Sequence, residues 1–441
     1  MTRGRRFPSR RAVIASALAA PLAATAWAQR PRPIHFFAWS AIPPLMRDAI
    51  ADFEQVSRVP VQGISVPWAA YREALVSRLL GQAGIDVVAM SDVWLPEFAE
   101  RGWLAPLDGL AAADVVAAET RPICNQAMTW KGRRYGMPYY TDNMAFLYNH
   151  ALLERAGIRT APTRWDEVVE QGQRLQRLGL VRHALGVPLA VDPWLIEVLT
   201  AIIYSFGGQS VDNEGRAMMA DPERGAVPGL TFIRDAMGRH GILSPEARNA
   251  AEADVMEAMS EGEHAFCLLP SYRLRTLNDP SLSPVAGAVR AALMPRGGPL
   301  GRHETCGWVR FFAATGRAMA DPDRRGAVEA FLPAIAGRGP GGTYALQKRL
   351  LLEGGLPFCA QPLLLDPEVE AALDRWTGGS TAILRRQGTL SRPKDLIYPW
   401  LNSWLLEAVH DLSEALGQAT SPQRALGRAA DRWMAMRAAH G

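Results

Sequence analysis

The stretch Ile85-Asp86-Val87-Val88-Ala89-Met90, with the segment F-A-E-R-G at 98–102, decides the fold class. The first is a short apolar run with β-branched residues, which predicts a buried strand. The second predicts a helix that stops at Gly102. Upstream, Ile34–Trp39 predicts the first strand, a helix follows at 45–57, and a second strand follows that helix. Strands that alternate with helices predict an α/β domain with a largely parallel sheet.

The same alternation fades and then returns further along the chain. Helical patterns dominate from 164 to 260, apolar strand-like runs reappear between 264 and 313, and the remainder from 326 is mostly helical. A return of this kind is what a two-lobed protein shows when its chain crosses between the lobes more than once.

The N-terminus has the pattern of an export signal. Residues 1–11 contain five arginines and no acid, residues 12–28 are uncharged, and Ala26-Trp27-Ala28 fits a cleavage site. Arg10-Arg11 partly matches the twin-arginine motif, and an ordinary Sec signal is the alternative. We therefore expect cleavage near Ala28 and a periplasmic mature protein.

Composition excludes some classes of function. The chain has 441 residues, of which 48% are hydrophobic and 21% charged, so it is not a disordered protein. Its net charge of +4 and pI of about 9.0 point at first to nucleic acid or a membrane. The basic excess lies within the signal, however, so the charge no longer points to nucleic acid or an anionic membrane surface, and no nucleic-acid partner is expected. Four cysteines show no C-x-x-C spacing, and their disulfide state stays open.

Motifs for catalysis or metal binding are incomplete. His303-Glu304 starts an H-E-x-x-H pattern, but Gly307 stands where the second His is needed. The glycine run at 337–342 matches G-x-G-x-x-G, yet it follows a helical pattern and is better explained as a helix cap. We expect no cofactor, no metal and no enzymatic activity. The carboxylate pair of a glycoside hydrolase need not be close in sequence, so that alternative stays open.

Tryptophan is the informative residue type. There are 13, and many stand beside Pro, Gly or short polar residues. An indole presents a flat apolar face that can cover a sugar ring, and a carboxylate accepts hydrogen bonds from two hydroxyls. Trp and Asp together therefore predict a polyol site, although packing in the core is the alternative for each Trp taken singly.

Six motifs occur in order behind the signal: D-V-V at 86–88 with F-A-E-R-G-W-L-A-P-L at 98–107, G-M-P at 136–138 with L-Y-N at 147–149, P-T-R-W-D-E at 162–167, G-E-H-A-F at 262–266, G-W at 307–308, and A-V-E-A-F-L at 327–332. Together they resemble the extracellular solute-binding proteins of ABC importers, family 1, the group that contains the maltose-binding proteins. The resemblance implies a two-lobed periplasmic-binding-protein fold, type II-like, with hinge strands and a helical C-terminal region. It suggests an N-terminal lobe of 29–139 and 265–315, and a C-terminal lobe of 140–264 and 316–441.

The resemblance also implies a function and a site. We expect a monomer that captures a carbohydrate or polyol between its lobes and delivers it to membrane permease subunits. Ferric iron, held by Tyr139-Tyr140, or a small organic cation is the alternative within this fold, and a secreted glycoside hydrolase is the alternative outside it. The ligand-binding residues implied by position or expected to face the cleft are Trp39, Ser40, Trp68, Asp92, Trp94, Tyr140, Asp142, Asp192, Trp194, Tyr272, Trp308, Trp400 and Trp404.

Overall fold

A computed structural model describes residues 31–440 except 83, 340 and 418. The predicted signal at 1–28 lies outside the described residues. The strands are β1 (Ile34–Trp39), β2 (Val61–Val66), β3 (Val87–Ser91), β4 (Thr129–Trp130), β5 (Arg133–Arg134), β6 (Met137–Asn149), β7 (Leu185–Gly186), β8 (Phe266–Pro270), β9 (Val289–Ala292), β10 (Thr305–Ala314) and β11 (Ser391–Arg392).

Helices connect and cover these strands. They are α1 (Ile42–Ser57), α2 (Trp68–Leu80), α3 (Leu95–Glu100), α4 (Ala111–Ala118), α5 (Pro122–Ala127), α6 (His150–Arg155), α7 (Trp165–Arg177), α8 (Leu195–Ser205), α9 (Val227–Met237), α10 (Glu252–Ser260), α11 (Arg273–Leu277), α12 (Gly316–Ala320), α13 (Pro322–Ala336), α14 (Ala345–Gly354), α15 (Pro367–Thr377), α16 (Thr381–Thr389), α17 (Leu401–Leu416) and α18 (Pro422–His440). Short 3-10 helices span Asp92–Trp94, Pro245–Asn249 and Gln361–Leu365. Among the described helices, none is both long enough and apolar enough to cross a membrane.

The first lobe contains the predicted parallel sheet. Strand β1 pairs in parallel with β2 and β3, and β3 pairs antiparallel with β10. The side chain of Asp86 secures the start of this sheet, because its Oδ2 accepts the amide N–H of His35 at 2.8 Å and lies 3.3 Å from the Arg324 guanidinium. The strand predicted at Ile34–Trp39 is confirmed with the same bounds.

Strand β6 is long enough to belong to both lobes. Its first half pairs with β10, and its second half, from Met144 to Asn149, pairs with β8 on one side and β9 on the other. One β-sheet therefore runs without a break from the first lobe into the second. The two-lobed periplasmic-binding-protein fold with a mixed sheet is confirmed, and β6 and β10 are its crossover strands.

The pairings divide the chain differently from the predicted lobe boundaries. Strand β8, predicted to belong to the N-terminal lobe, pairs with the second half of β6 and with β7, so it lies in the second lobe. Helix α13, predicted to belong to the C-terminal lobe, packs on the first lobe: the ring of Phe331 lies 5.9 Å from that of Phe36 in β1. The reason is the apolar face of α13, which buries Val328, Phe331 and Leu332 against the sheet.

The C-terminal region is helical, as predicted. Helices α17 and α18 pack against each other and against α9. The glycine run near 337 follows α13, which ends at Ala336, and the amide of Gly337 donates to the carbonyl oxygen of Pro333 at 2.8 Å. The glycine run thus begins at the C-terminus of a helix and not after a strand, in agreement with the helix cap that the sequence indicates.

Candidate functional site

Several predicted binding residues lie on one face of the crossover strands. Their register pairs Trp308 with Asp142 and Arg310 with Tyr140. Because side chains alternate along a strand, these four residues share one face of the sheet, and Thr141, Asn143 and Val309 belong to the other. Asp142, Tyr140 and Trp308, which were predicted separately, therefore lie side by side.

Arg310 is at the centre of a buried group of charges. Its guanidinium donates to Asp92 Oδ1 at 3.2 Å and to Glu197 Oε1 at 3.5 Å, and the side chain is 1% exposed. The ammonium of Lys394 lies 3.8 Å from the same Asp92 oxygen and 3.6 Å from the same Glu197 oxygen. These four residues, called the charge cluster below, carry two positive and two negative charges, so the cluster is neutral overall.

The charge cluster joins the two lobes. Asp92 directly follows β3 of the first lobe, and its Oδ2 also accepts the amide N–H of Val309 at 3.2 Å. Glu197 is on α8, which packs on the second lobe through a hydrogen bond from the Trp165 indole to Ser205. Arg310 on the crossover strand therefore binds one carboxylate from each lobe.

Aromatic rings enclose the charge cluster. Trp68 stacks on Trp94 with ring centroids 5.4 Å apart, and Trp39 meets Trp68 edge to face at 5.0 Å. The guanidinium of Arg310 lies 5.3 Å from the Trp68 ring centroid and 5.8 Å from that of Trp308. Trp194 then contacts Trp308 edge to face at 5.5 Å. Five predicted tryptophans are thus brought around one centre.

Several polar atoms in this region are buried without a hydrogen-bond partner among the residues that the structure describes. They are the indole nitrogens of Trp68 and Trp308, the Lys394 ammonium and Glu197 Oε2. Buried polar groups are nearly always hydrogen-bonded in folded proteins, because an unpaired group keeps its full cost of leaving water. Three donors and one acceptor are therefore available for the hydroxyl groups of a ligand or for ordered water.

Asp142 is held rigidly at the edge of this region. Its carboxylate accepts the amide N–H of Asn143 at 2.7 Å, the amide N–H of Tyr272 at 3.2 Å and the hydroxyl of Ser271. Burial raises the pKa of Asp142 to about 7, and these hydrogen bonds limit the rise. The ring of Tyr272 is covered by the Arg273 guanidinium, 4.9 Å from its centroid.

Asp192 and Trp194 form the start of α8. Asp192 Oδ1 accepts the amide N–H of Trp194 at 2.7 Å, and burial raises the pKa of this half-buried carboxyl. Asp192 therefore positions the Trp194 backbone, and Trp194 reaches Trp308. Ser40 is exposed at the end of β1, where its amide donates to the carbonyl oxygen of Val66 at 2.9 Å.

The two C-terminal tryptophans lie elsewhere. The Trp404 indole donates to the carbonyl oxygen of Ala429 at 2.8 Å, and its ring meets Trp433 of α18 at 5.4 Å. Trp400 packs against Tyr398, Trp433 and His440. None of the ring contacts in the described part of the chain joins either residue to the aromatic group around Arg310. The Trp404 indole belongs to the packing of α17 on α18, which the sequence alone did not distinguish from a binding role. The Trp400 indole N–H is buried with no hydrogen-bond partner among the described residues, so its binding role stays a prediction.

Three residues of the charge cluster were not predicted. Two had a visible signal: Arg310 interrupts the apolar strand G-W-V-R-F-F-A, and Glu197 interrupts the apolar helix L-I-E-V-L-T-A-I-I. Lone charges within buried elements are almost always paired, so each predicted a partner. Lys394 follows a short strand and gave no comparable signal.

A cavity of about 420 Å³ lies against the other face of the crossover strands. Thr141, Asn143 and Val309 line it from that face, and Asp92, Asp142 and Trp308 also border it. Its remaining walls come mainly from α5, α15 and α16, with Arg385 of α16 among them. The cavity therefore lies between the lobes, on the side of the crossover strands opposite to Arg310.

Metal binding finds limited support in the described residues. They contain no group of three or more His, Cys, Asp or Glu arranged to hold an ion. Burial raises the pKa of Tyr139 well above its ordinary value and that of Tyr140 to about 12. Deprotonating either phenol to bind ferric iron therefore costs more than it does for an ordinary tyrosine.

Lobes joined by crossover strands, with aromatic and charged residues converging between them, define a two-lobed solute-binding protein. The family model described as bacterial extracellular solute-binding protein matches residues 39–301. The chain belongs to this family.

Several individual proteins are similar to the chain. A putative binding protein of Brucella abortus is 23% identical over 249 residues, 55% of this chain and 57% of the relative. A mannitol-binding protein of Pseudomonas aeruginosa is 23% identical over 53% of this chain and 54% of the relative. A diacetylchitobiose binding protein of Streptomyces coelicolor is 24% identical over 41% of each chain. The chain thus spans about half the length of the curated relatives it matches.

Solved structures extend the likeness of the fold to nearly the whole chain. Maltose-bound MalE3 of T. maritima superposes with a TM-score of 0.80 at 21% identity, covering 92% of this chain and 100% of that one. A solute-binding protein of Agrobacterium vitis with bound D-mannitol gives 0.75 at 20% identity, covering 93% and 99%. At these identities the likeness is one of fold.

Proposed function

We propose that this protein is the solute-binding component of an ABC importer and that it captures a carbohydrate or polyol between its lobes. The observation that carries the proposal is a set of buried polar atoms, beside indole rings, that form no hydrogen bond within the described part of the chain: the N–H groups of Trp68 and Trp308, the Lys394 ammonium and Glu197 Oε2. Each sugar hydroxyl both donates and accepts a hydrogen bond, so a polyol can satisfy donors and acceptor together.

The ligand is proposed to be uncharged. The charge cluster contains equal numbers of positive and negative groups, and these already neutralise one another. A small organic cation would have to approach indole rings that the Arg310 guanidinium covers at 5.3 and 5.8 Å. Repulsion between the two cations disfavours that alternative, and the added cost of deprotonating the buried phenols of Tyr139 and Tyr140 disfavours ferric iron.

Binding is proposed to act by closing the lobes. Because Asp92, Arg310 and Glu197 come from the first lobe, the crossover strand and the second lobe, a solute held among them favours the closed arrangement. The closed complex is then delivered to membrane permease subunits. We further propose a periplasmic monomer without catalytic activity, exported by the signal at residues 1–28.

A thermal-shift screen of sugars and polyols tests the proposal. D-Mannitol, ribitol, maltose and a chitobiose derivative form the first panel, with ferric citrate and choline as competing classes. A ligand at one hundred times its Kd stabilises the folded state by about 2.7 kcal/mol, which gives a measurable rise in Tm. Shifts with ferric citrate or choline but with no saccharide, or hydrolysis of a glycoside by the pure protein, would overturn the proposal.

Matched variants then locate the site. Trp308→Phe keeps an aromatic face but removes the unpaired N–H, so titration calorimetry should show about tenfold weaker binding, equivalent to one lost hydrogen bond. Trp404→Phe is the control, because its indole is already bonded to Ala429. Equal affinities for both variants would place the ligand somewhere other than beside Trp308.

A further inference from the structure

Two of the four cysteines lie together although 234 residues separate them in sequence. The amide of Cys124 donates to the carbonyl oxygen of Arg121 at 2.9 Å, and Cys124 and Cys359, both fully buried, lie close enough for each thiol to shift the pKa of the other. Within the described residues, Cys267 and Cys306 have no such neighbouring thiol: Cys267 is in β8, and Cys306 is the second residue of β10, where its thiol faces a backbone carbonyl oxygen.

The backbone around this pair is already joined. The amide of Arg121 donates to the carbonyl oxygen of Cys359 at 2.9 Å, and Thr120 forms a β-bridge with Ala360. Helix α5, which carries Cys124, begins one residue after Arg121. A disulfide between the two sulfurs would therefore join two segments of the chain whose relative position is already fixed by hydrogen bonds.

We propose that Cys124 and Cys359 are a thiol–disulfide site that closes to a disulfide under oxidising conditions. This goes beyond solute binding and does not depend on which solute is bound. Four cysteines can form two disulfides in three ways. The geometry favours a single disulfide, between Cys124 and Cys359, and leaves Cys267 and Cys306 as thiols.

The reaction is an exchange with a small disulfide. The Cys124 thiolate attacks one sulfur of oxidised glutathione and releases one glutathione thiolate. The Cys359 thiolate then attacks the resulting mixed disulfide at Cys124 and releases the second. Two protein thiols are oxidised to one disulfide, and one glutathione disulfide is reduced to two thiols.

Cys124 is assigned as the attacking residue. The hydrogen bond from Cys359 lowers the pKa of Cys124, and the Arg121 guanidinium acts in the same direction. Burial instead raises the pKa of Cys359 well above its ordinary value. Ile123, beside Cys124, is partly exposed and lines the cavity behind the crossover strands, which gives small oxidants a route close to the pair.

The pair also adjoins the crossover. Thr141 on β6 borders the pair: its side chain helps to lower the pKa of Cys124, and its amide donates to the carbonyl oxygen of Pro357 at 3.1 Å. Pro357 and Phe358 line the cavity and directly precede Cys359. Oxidation would therefore fix the segment at Pro357 and Phe358, which lines the cavity, next to the crossover strand β6.

Mass spectrometry of the full-length chain tests the proposal. Protein exported to the periplasm, and reduced protein incubated with oxidised glutathione, are each denatured and alkylated with iodoacetamide. In at least one sample we expect two alkylated cysteines in place of four, a mass lower by two hydrogen atoms before alkylation, and a linked peptide pair containing Cys124 and Cys359.

Variants identify the residues without depending on a change in stability. Cys359→Ser should abolish the linked peptides, and the matched control Cys267→Ser should retain them. Four alkylated cysteines in both wild-type samples would overturn the proposal. Linked peptides that contain Cys267 or Cys306 would overturn it equally.

Discussion

The replacement Arg310→Met removes the central cation of the charge cluster while keeping most of the side-chain volume. Asp92 then retains the amide N–H groups of Val93 and Val309, but Glu197 Oε1 is left with only the Lys394 ammonium at 3.6 Å. Two buried carboxylates then face one ammonium. Removing one partner from a buried ion pair costs about 3–5 kcal/mol, because the remaining charge keeps its cost of leaving water.

Urea denaturation, followed by tryptophan fluorescence and circular dichroism, measures this free energy of unfolding. The control is Arg216→Met, since Arg216 is 57% exposed and pairs with Asp212 and Glu214 at the surface. Exposed pairs of this kind contribute about 0–1 kcal/mol. We therefore expect the Arg310 variant to be destabilised several times more than the control.

A double variant separates charge from packing. Adding Glu197→Gln to Arg310→Met restores a neutral cluster, so the second change should cost less than it does in the wild type, by about 0.5–3 kcal/mol. Arg310→Met that is no more destabilising than Arg216→Met, or additive effects in the double variant, would refute the assignment of Arg310 as the link between Asp92 and Glu197.

Two further predictions concern the neighbourhood of the crossover strands. The pKa of Asp142 in the folded protein is about 7, above its ordinary value of 3.8, so the unfolded chain loses this proton first as pH rises. The contribution of Asp142 to the free energy of unfolding should be complete below pH 4, fall between pH 4 and 7 by at most about 1.4 kcal/mol per pH unit, and stay constant above pH 7. In urea titrations at several pH values, Asp142→Asn should remove this slope. Gly136→Ala should destabilise the protein by about 1–3 kcal/mol, because the new Cβ would lie 2.2 Å from the ring of Phe311. Gly63→Ala is the control and should be tolerated, because no described atom lies within 4 Å of its new Cβ. Equal denaturation midpoints for the two glycine variants would contradict this packing.

The secondary structure of the first lobe could be predicted because it depends on local patterns. The run Ile34–Trp39 is apolar and bounded by turn-forming residues, and it forms a strand with the expected ends. Helix α1 begins at Ile42, three residues before the predicted start, because Pro43 and Pro44 fit into its first turn, where their missing N–H groups are not needed.

The lobe boundaries could not be read from the same patterns. Strand β8 has the apolar composition of any buried strand, and nothing in its own sequence says which half of β6 it will pair with. The choice depends on contacts between residues more than a hundred positions apart.

The candidate site divides in the same way. Order of motifs and residue type predicted Asp92, Asp142 and Trp308, and the register of the crossover strands brings Asp142 and Trp308 together. Trp404 has the same composition signal as Trp308, but its indole is used in helix packing. A tryptophan in a site and a tryptophan in a core differ only in what surrounds them.

The sequence by itself determined the α/β class and the likeness to solute-binding proteins, and it predicted acids and indoles for the candidate site, because propensity, periodicity and short motifs are properties of short segments. Only the tertiary structure decided that Arg310 binds Asp92 and Glu197 from opposite lobes, that the Trp404 indole is bonded within the helix packing, and that Cys124 lies near Cys359. Those results follow from the pairing of distant strands and from the burial of charges, which only a folded chain can satisfy.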